Sequence, residues 1–232
     1  MKEVTHENAQ SILLEFLDRE NISMPWLVDT LIKVADFTNG HRNPPNFCNW
    51  LYNISHQIHI NNMNVSDFNY KKFPFKLNLG CGADKREGYL NIDLQPFFEP
   101  DLVADIRELK TLPSNTYEEI LANDCLEHLP RNDTERTLIE WNRVLKQNGL
   151  LRLRVPSATC LFEQLTWESK QSVEDQKLLI QVLYGTQNYE GDWHYTSFTK
   201  PLLNYYLNTS GFNVLTMDIK DHSLFVVEAI KR

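Results

Sequence analysis

The chain has 232 residues and a mass of 27.2 kDa, which predicts one core domain with an appendage and excludes a disulfide mini-protein. With 42% hydrophobic and 23% charged residues the composition is globular, not disordered. The 31 acids against 23 bases leave a formal charge of −8, which disfavours a phosphate backbone as partner and argues against nucleic acid as substrate. No apolar run approaches the roughly 20 residues that span a bilayer, so no membrane association is expected. The opening MKEVTHENAQ lacks the basic and apolar blocks of a signal peptide, and a cytoplasmic location is expected. Cys48, Cys81, Cys125 and Cys160 form no C-x-x-C pair, so reduced thiols are expected and neither a zinc knuckle nor a redox pair is.

Residues 1–72 read as a helical region and a linker. Ile12, Leu13, Phe16 and Leu17 lie at helical spacing, and Leu27, Val28, Leu31, Ile32 and Ala35 follow Pro25 in the same way. Gly40 and the Asn43-Pro44-Pro45 run interrupt the pattern before a third helical face of Phe47, Trp50, Leu51, Ile54 and Ile58. The Asn-rich stretch 61–72 has no sustained period and is the expected linker. These helices are candidates for a lid or a homodimer contact.

From residue 73 onward short apolar runs alternate with helical segments, as in a parallel sheet with crossover helices. Strands are expected at 76–80, 89–93, 102–105, 118–123 and 149–155. Helices are expected at 134–147, stopped by Gly149, and at 173–184, stopped by Gly185. A last helix follows the Thr199 cap with Pro201 in its first turn and ends at Gly211. Runs 212–219 and 224–230, joined by a polar turn at 220–223, predict an antiparallel hairpin closing the sheet.

The first strand runs straight into Gly80-Cys81-Gly82, where glycine permits a sharp bend and close approach of a ligand to the main chain. The third glycine that a dinucleotide pyrophosphate needs is replaced by Lys85, and no phosphate loop is present. Asp93 ends the second strand, where a carboxylate can accept both hydroxyls of a ribose, and Asp105 ends the third, where it can accept from an exocyclic amine while Ile106 packs on a base. Acids at successive strand ends, without a phosphate loop, favour a nucleoside that carries no phosphate.

These residues resemble the class I S-adenosylmethionine-dependent methyltransferases, over about residues 75–232. The resemblance is to predicted methyltransferases with LGCG (79–82), GYLNID (88–93), LEHL (126–129), W-x-R-V-L-K-x-x-G-x-L (141–151) and a histidine in an aromatic stretch, here GDWHYTSF (191–198). It implies an α/β, Rossmann-like fold with a mostly parallel seven-stranded sheet ending in an antiparallel hairpin, and S-adenosyl-L-methionine as cofactor. It further implies that Gly80, Cys81 and Gly82 face the methionine part, Asp93 and Leu94 the ribose, Asp105 and Ile106 the adenine, and Asn123 and Asp124 the amino group or the transferring methyl. Only ten residues separate Gly82 from Asp93. That is too few for the usual crossover helix, so a short turn and a more open pocket are expected there.

Methyl transfer from a sulfonium needs alignment more than it needs a metal, and no metal ligand set is read from the sequence. A hydroxyl acceptor profits from a base; His194 is the first candidate and His128 the second. Trp167, Tyr184, Tyr189 and Trp193 are candidates for an acceptor pocket. The expected acceptor is a small molecule or a sugar of a glycan precursor, methylated at oxygen. A noncatalytic cofactor-binding module and a nucleotide-dependent oxidoreductase are the alternatives.

Overall fold

The computed structural model describes residues 68–188 and 191–232. The three expected amino-terminal helices lie outside the described residues, as does most of the linker. Among the described residues a single 3-10 turn, Tyr70–Lys72, precedes the sheet.

Seven strands form one sheet in the order β3-β2-β1-β4-β5-β7-β6. They are β1 (Lys76–Leu79), β2 (Leu90–Asp93), β3 (Leu102–Val103), β4 (Tyr117–Asn123), β5 (Leu145–Pro156), β6 (Phe212–Lys220) and β7 (Leu224–Lys231). The first five are parallel; β7 enters antiparallel between β5 and β6. Leu77, Leu79, Leu90, Ile92, Ile120 and Ala122 are wholly buried, as expected for parallel strands covered on both faces. Because β1 and β4 are neighbours whose connections leave in opposite directions, their carboxyl ends flank a crevice in which such sheets bind ligands.

The expected alternation of strand and helix holds only in part. Among the first five strands one α-helix occurs, α1 (Thr134–Val144), between β4 and β5. The β1–β2 connection is a chain of turns, as its length requires, and polar side chains stitch it in place. Asn78 Nδ2 donates to the Asp84 carbonyl at 2.8 Å and to Asn91 Oδ1 at 3.0 Å, while Arg86 N donates to the same Asn91 oxygen at 2.7 Å. Asn91 N and Nδ2 both donate to Asp101 Oδ2 at 2.8 Å. Two buried amides thus take over the satisfaction of loop backbone that a helix would achieve internally.

The β3–β4 connection is likewise non-helical and is tied down by α1. Arg143 donates to the carbonyls of Leu109 and Leu112, both at 3.0 Å, and to Ser114 Oγ at 2.9 Å. Glu140 Oε1 accepts from Leu109 N at 2.7 Å, and the buried Trp141 Nε1 donates to the Ile106 carbonyl at 2.9 Å. The Trp141-x-Arg143 motif is therefore an anchor for the preceding loop. The helix stops at Val144, short of the expected 147, because Leu145 already pairs with Tyr117 as the start of β5.

After β5 come α2 (Ala158–Gln164), which the sequence pattern did not indicate, α3 (Val173–Tyr184) and α4 (Lys200–Thr209). Each is capped by a hydroxyl: Ser157 accepts from Cys160 N, Ser172 from Asp175 N and Thr199 from Leu202 N. The hairpin β6–β7 forms as expected, its turn passing through left-handed Asp221 and His222. No helix among the described residues is long and apolar enough to cross a membrane.

Candidate active site

The glycine turn follows β1 with Gly80 at φ 62° and Gly82 at φ 48°, both left-handed. The two glycines serve different ends. A Cβ on Gly80 would lie 2.4 Å from Cys125 Cβ, so this residue lets the chain after β1 pack against the chain after β4. A Cβ on Gly82 would meet nothing within 4 Å. The open space expected of a ligand approach is therefore at Gly82.

Asp93 closes the turn from the neighbouring strand. Its carboxylate accepts from Gly82 N at 2.7 Å and from Gln95 N at 2.8 Å, while Cys81 N donates to the Ile92 carbonyl at 3.0 Å. The residue is 7% exposed, and burial raises its pKa above the ordinary aspartate value against the opposing pull of the Gln95, Gly82 and Leu94 main-chain hydrogen bonds. A carboxylate offers about four lone-pair sites, so the bonds from Gly82 and Gln95 leave it capacity to accept further. Cys81 is buried beside it, and desolvation with the charges of Asp93 and Asp101 pushes its thiol up to about 12. Cys125 is raised as well, chiefly by burial. Neither is a thiolate nucleophile at neutral pH.

At the tip of β3, Asp105 is held by Arg107, whose Nε lies 2.9–3.0 Å from its two oxygens and whose terminal nitrogen lies 2.6 Å from Oδ2. Arg107 also reaches Asp133 at 2.9 Å. Ile106 is buried, with its carbonyl committed to Trp141. Asp105 thus presents a paired rather than a bare carboxylate, and Arg107 was not singled out by the sequence. At the tip of β4, Asn123 is half-buried and Asp124 takes a left-handed φ of 51°, its N donating to the Arg154 carbonyl and its carboxylate paired with the Arg154 guanidinium.

Beyond Cys125 the chain makes a 3-10 turn, Leu126–His128, and a distant segment straps across it. Tyr195 N and Thr196 N both donate to the Glu127 carbonyl, at 2.9 and 3.2 Å, and His194 N donates to the Tyr184 carbonyl at 3.1 Å. Gly185 at φ 81° makes this possible, since a Cβ there would lie 2.0 Å from the Asp192 carbonyl oxygen. The strap brings His194 edge-on to His128, with ring centroids 4.6 Å apart. Burial lowers the pKa of both imidazoles, His194 adding to the effect on His128, which favours their neutral forms near pH 7. The Glu127 side chain is 0% exposed, and among the described residues both of its oxygens lack a hydrogen-bond partner. Burial raises its pKa well above the usual carboxylate value. Glu127, His128 and His194 each offer a ligand atom, all within 4.8 Å of one another. Trp193 and Tyr195, on either side of His194, are 43% and 58% exposed. Trp167 faces His222 edge-on at 6.1 Å, and Tyr189 lies outside the described residues.

Comparison with known proteins places this geometry. Residues 77–153 match the family model of a methyltransferase domain. No curated protein matches the sequence. Among solved structures the chain is similar to a SAM-dependent methyltransferase of Methanosarcina mazei, with 18% identity, 67% of this chain and 91% of that chain covered, and a TM-score of 0.51. It is also similar to a SAM-dependent methyltransferase of Archaeoglobus fulgidus, with 13% identity, 70% and 88% covered, and a TM-score of 0.50. A third likeness is to a "possible exported protein" of Bordetella parapertussis, with 15% identity and a TM-score of 0.50; it covers 68% of this chain, which spans 62% of that protein's length. Residues 77–153 thus carry the pattern of a methyltransferase domain, and the sheet order with its closing hairpin is the fold of the SAM-dependent methyltransferases to which the chain is similar. The matched domain and these neighbours support an enzyme that uses S-adenosylmethionine as methyl donor.

Proposed function

We propose that the chain methylates a hydroxyl of a small molecule or sugar precursor, with the acceptor oxygen presented at the His128–His194 corner. The observation that carries this reading is the strap on the Glu127 carbonyl, which sets two imidazoles in mutual contact just past Cys125, the residue packed on the glycine turn.

The donor sits along the first strand tips. Gly80, Cys81 and Gly82 supply main chain to the methionine part; the lone pairs of Asp93 left by Gly82 and Gln95 accept the ribose hydroxyls, next to Leu94. Asp105, Arg107 and Ile106 border the adenine, and Asn123 and Asp124 the amino group. The carbon–sulfur bond breaks with its electron pair passing to sulfur, which leaves as a neutral thioether, while the acceptor oxygen bonds to the methyl carbon. In the metal-free protein the hydroxyl proton passes to His194, with His128 as second candidate; both are neutral and able to take it. Trp193 and Tyr195 flank that corner with exposed ring faces suited to a sugar or an apolar ring.

The test has two parts. S-adenosylhomocysteine at about a hundred times its dissociation constant adds roughly 2.7 kcal/mol, a rise in Tm of about 5–11 °C at this chain length. Labelled methyl transfer over a panel of hydroxylated small molecules and nucleotide-sugars then identifies the acceptor. His194→Ala is expected to keep product affinity and to lose about a hundredfold or more in turnover. Unchanged turnover on a hydroxyl acceptor removes His194 from the chemistry.

A further inference from the structure

We propose that Glu127, His128 and His194 form a binding site for a divalent first-row transition-metal cation next to the methyl-transfer centre. Three independent features converge there. The ligand atoms of the three residues lie within 4.8 Å of one another. Atoms about 2.0–2.2 Å from a common tetrahedral ion lie ~3.3–3.6 Å apart, so side-chain movement of up to roughly 1–1.5 Å closes the set. Second, the Glu127 carboxyl is 0% exposed, and among the described residues neither of its oxygens nor the buried His128 Nδ1 has a hydrogen-bond partner. A carboxylate buried without partners is strongly disfavoured. A cation supplies the missing charge and the missing bonds at once.

The third feature is the outer support. The main chain of His194 donates to the Tyr184 carbonyl at 3.1 Å. That bond and the turn at Gly185 hold the His194 ring edge-on to His128, with centroids 4.6 Å apart. The strap is itself fastened to the Glu127 carbonyl, so the residue that supplies the oxygen ligand also positions the chain that supplies the second imidazole.

Two nitrogens and one carboxylate oxygen suit zinc, manganese, iron or cobalt better than magnesium or calcium, which prefer all-oxygen shells. Three protein ligands leave positions open for water or substrate. This deepens the reading of the acceptor corner and rests on it for its role. With the cation bound, both imidazoles are ligands, and the acceptor hydroxyl takes an open position, where its acidity rises as that of zinc-bound water does. Its proton leaves to solvent, its oxygen bonds to the methyl carbon, and the carbon–sulfur electron pair goes to sulfur. No electron transfer is involved.

The experiment uses the full chain, stripped with chelator and titrated separately with Zn2+, Mn2+ and Co2+ by calorimetry, the Co2+ form also by visible absorption. One cation per chain is expected, with a Co2+ spectrum diagnostic of a low-coordinate site. His128→Ala and His194→Ala should each weaken binding at least tenfold and abolish the spectrum, while His222→Ala changes neither. Glu127→Gln, close in shape, should weaken binding while retaining the fold by circular dichroism. Absence of one-to-one binding, or an affinity unchanged from the parent in both histidine variants, overturns the proposal and leaves a protonated Glu127 as the account of the corner. S-adenosylhomocysteine affinity of the stripped protein separates the two readings. Product binding without cation binding sinks the metal site alone, whereas cation binding without product binding sinks the donor reading alone.

Discussion

Replacing Gly80 by alanine puts a methyl group where Cys125 already stands. The new Cβ would lie 2.4 Å from Cys125 Cβ, against the roughly 3.5–4.0 Å at which carbons rest. The left-handed φ of 62° adds about 1–2 kcal/mol for any residue with a side chain, and relieving the overlap costs about 1–3 kcal/mol. The sum, about 2–5 kcal/mol, lowers Tm by roughly 4–20 °C at this chain length. Cys125→Gly removes the other half of the collision and itself costs about 2 kcal/mol, from one lost buried group and added backbone freedom. The two changes together should therefore be less harmful than their sum, by about 1–3 kcal/mol, the size of coupling expected of touching residues. Urea unfolding of the parent, both single variants and the double variant measures this. Strict additivity, or a Gly80→Ala protein melting within 2 °C of the parent, refutes the assignment of Gly80 to packing. Gly82→Ala is the companion: with nothing within 4 Å, only the backbone strain is felt in the fold, while S-adenosylhomocysteine affinity falls as the methyl group enters the open space.

Two further outcomes follow from the same geometry. The Asp93 carboxyl has a pKa raised by burial; ribose hydroxyls donate to its charged form, so product affinity should be full above that raised pKa and fall as pH drops through it, at a pH where exposed aspartates are still ionised. Calorimetry against pH should show this fall in the parent and a flat, weaker profile in Asp93→Asn; a matching fall in the variant assigns the titration elsewhere. Arg143→Met removes the donors to the Leu109 and Leu112 carbonyls, with a loss of about 2–3 kcal/mol after allowance for partial exposure, and hydrogen exchange over 109–114 should accelerate. Unchanged exchange there shows that the loop does not depend on α1.

Much of the fold was legible where local pattern and tertiary role agree. The strand tips at Asp93 and Asn123, helix α3 with its Gly185 stop, and the closing hairpin all follow from periodicity and turn chemistry. The missing crossover helix after Gly82 followed from counting residues. Other features rest on contacts between distant positions, which spacing does not encode. Helix α2 is only seven residues long and follows Pro156 without a clear face, and helix α1 ends early because Leu145 finds a strand partner in Tyr117. At the site, the strand-end acids were visible one by one, but the pairing of Asp105 with Arg107 and of Asp124 with Arg154 was not. Glu127 reads in sequence as a helix-start acid; its isolation is disclosed only when residues 191–196, far along the chain, fold over it.

The place of β7 in the sheet bears on how the domain is assembled during synthesis. It is the last strand in chain order, yet β5 and β6 touch each other only through it, with Leu150 facing Ile230 across the join. A nascent chain that has reached Lys220 therefore exposes two unpaired strand borders with nothing between them, the condition in which strands recruit foreign partners. Emergence of the final hairpin from the ribosome is thus the moment at which this half of the sheet becomes safe from aggregation.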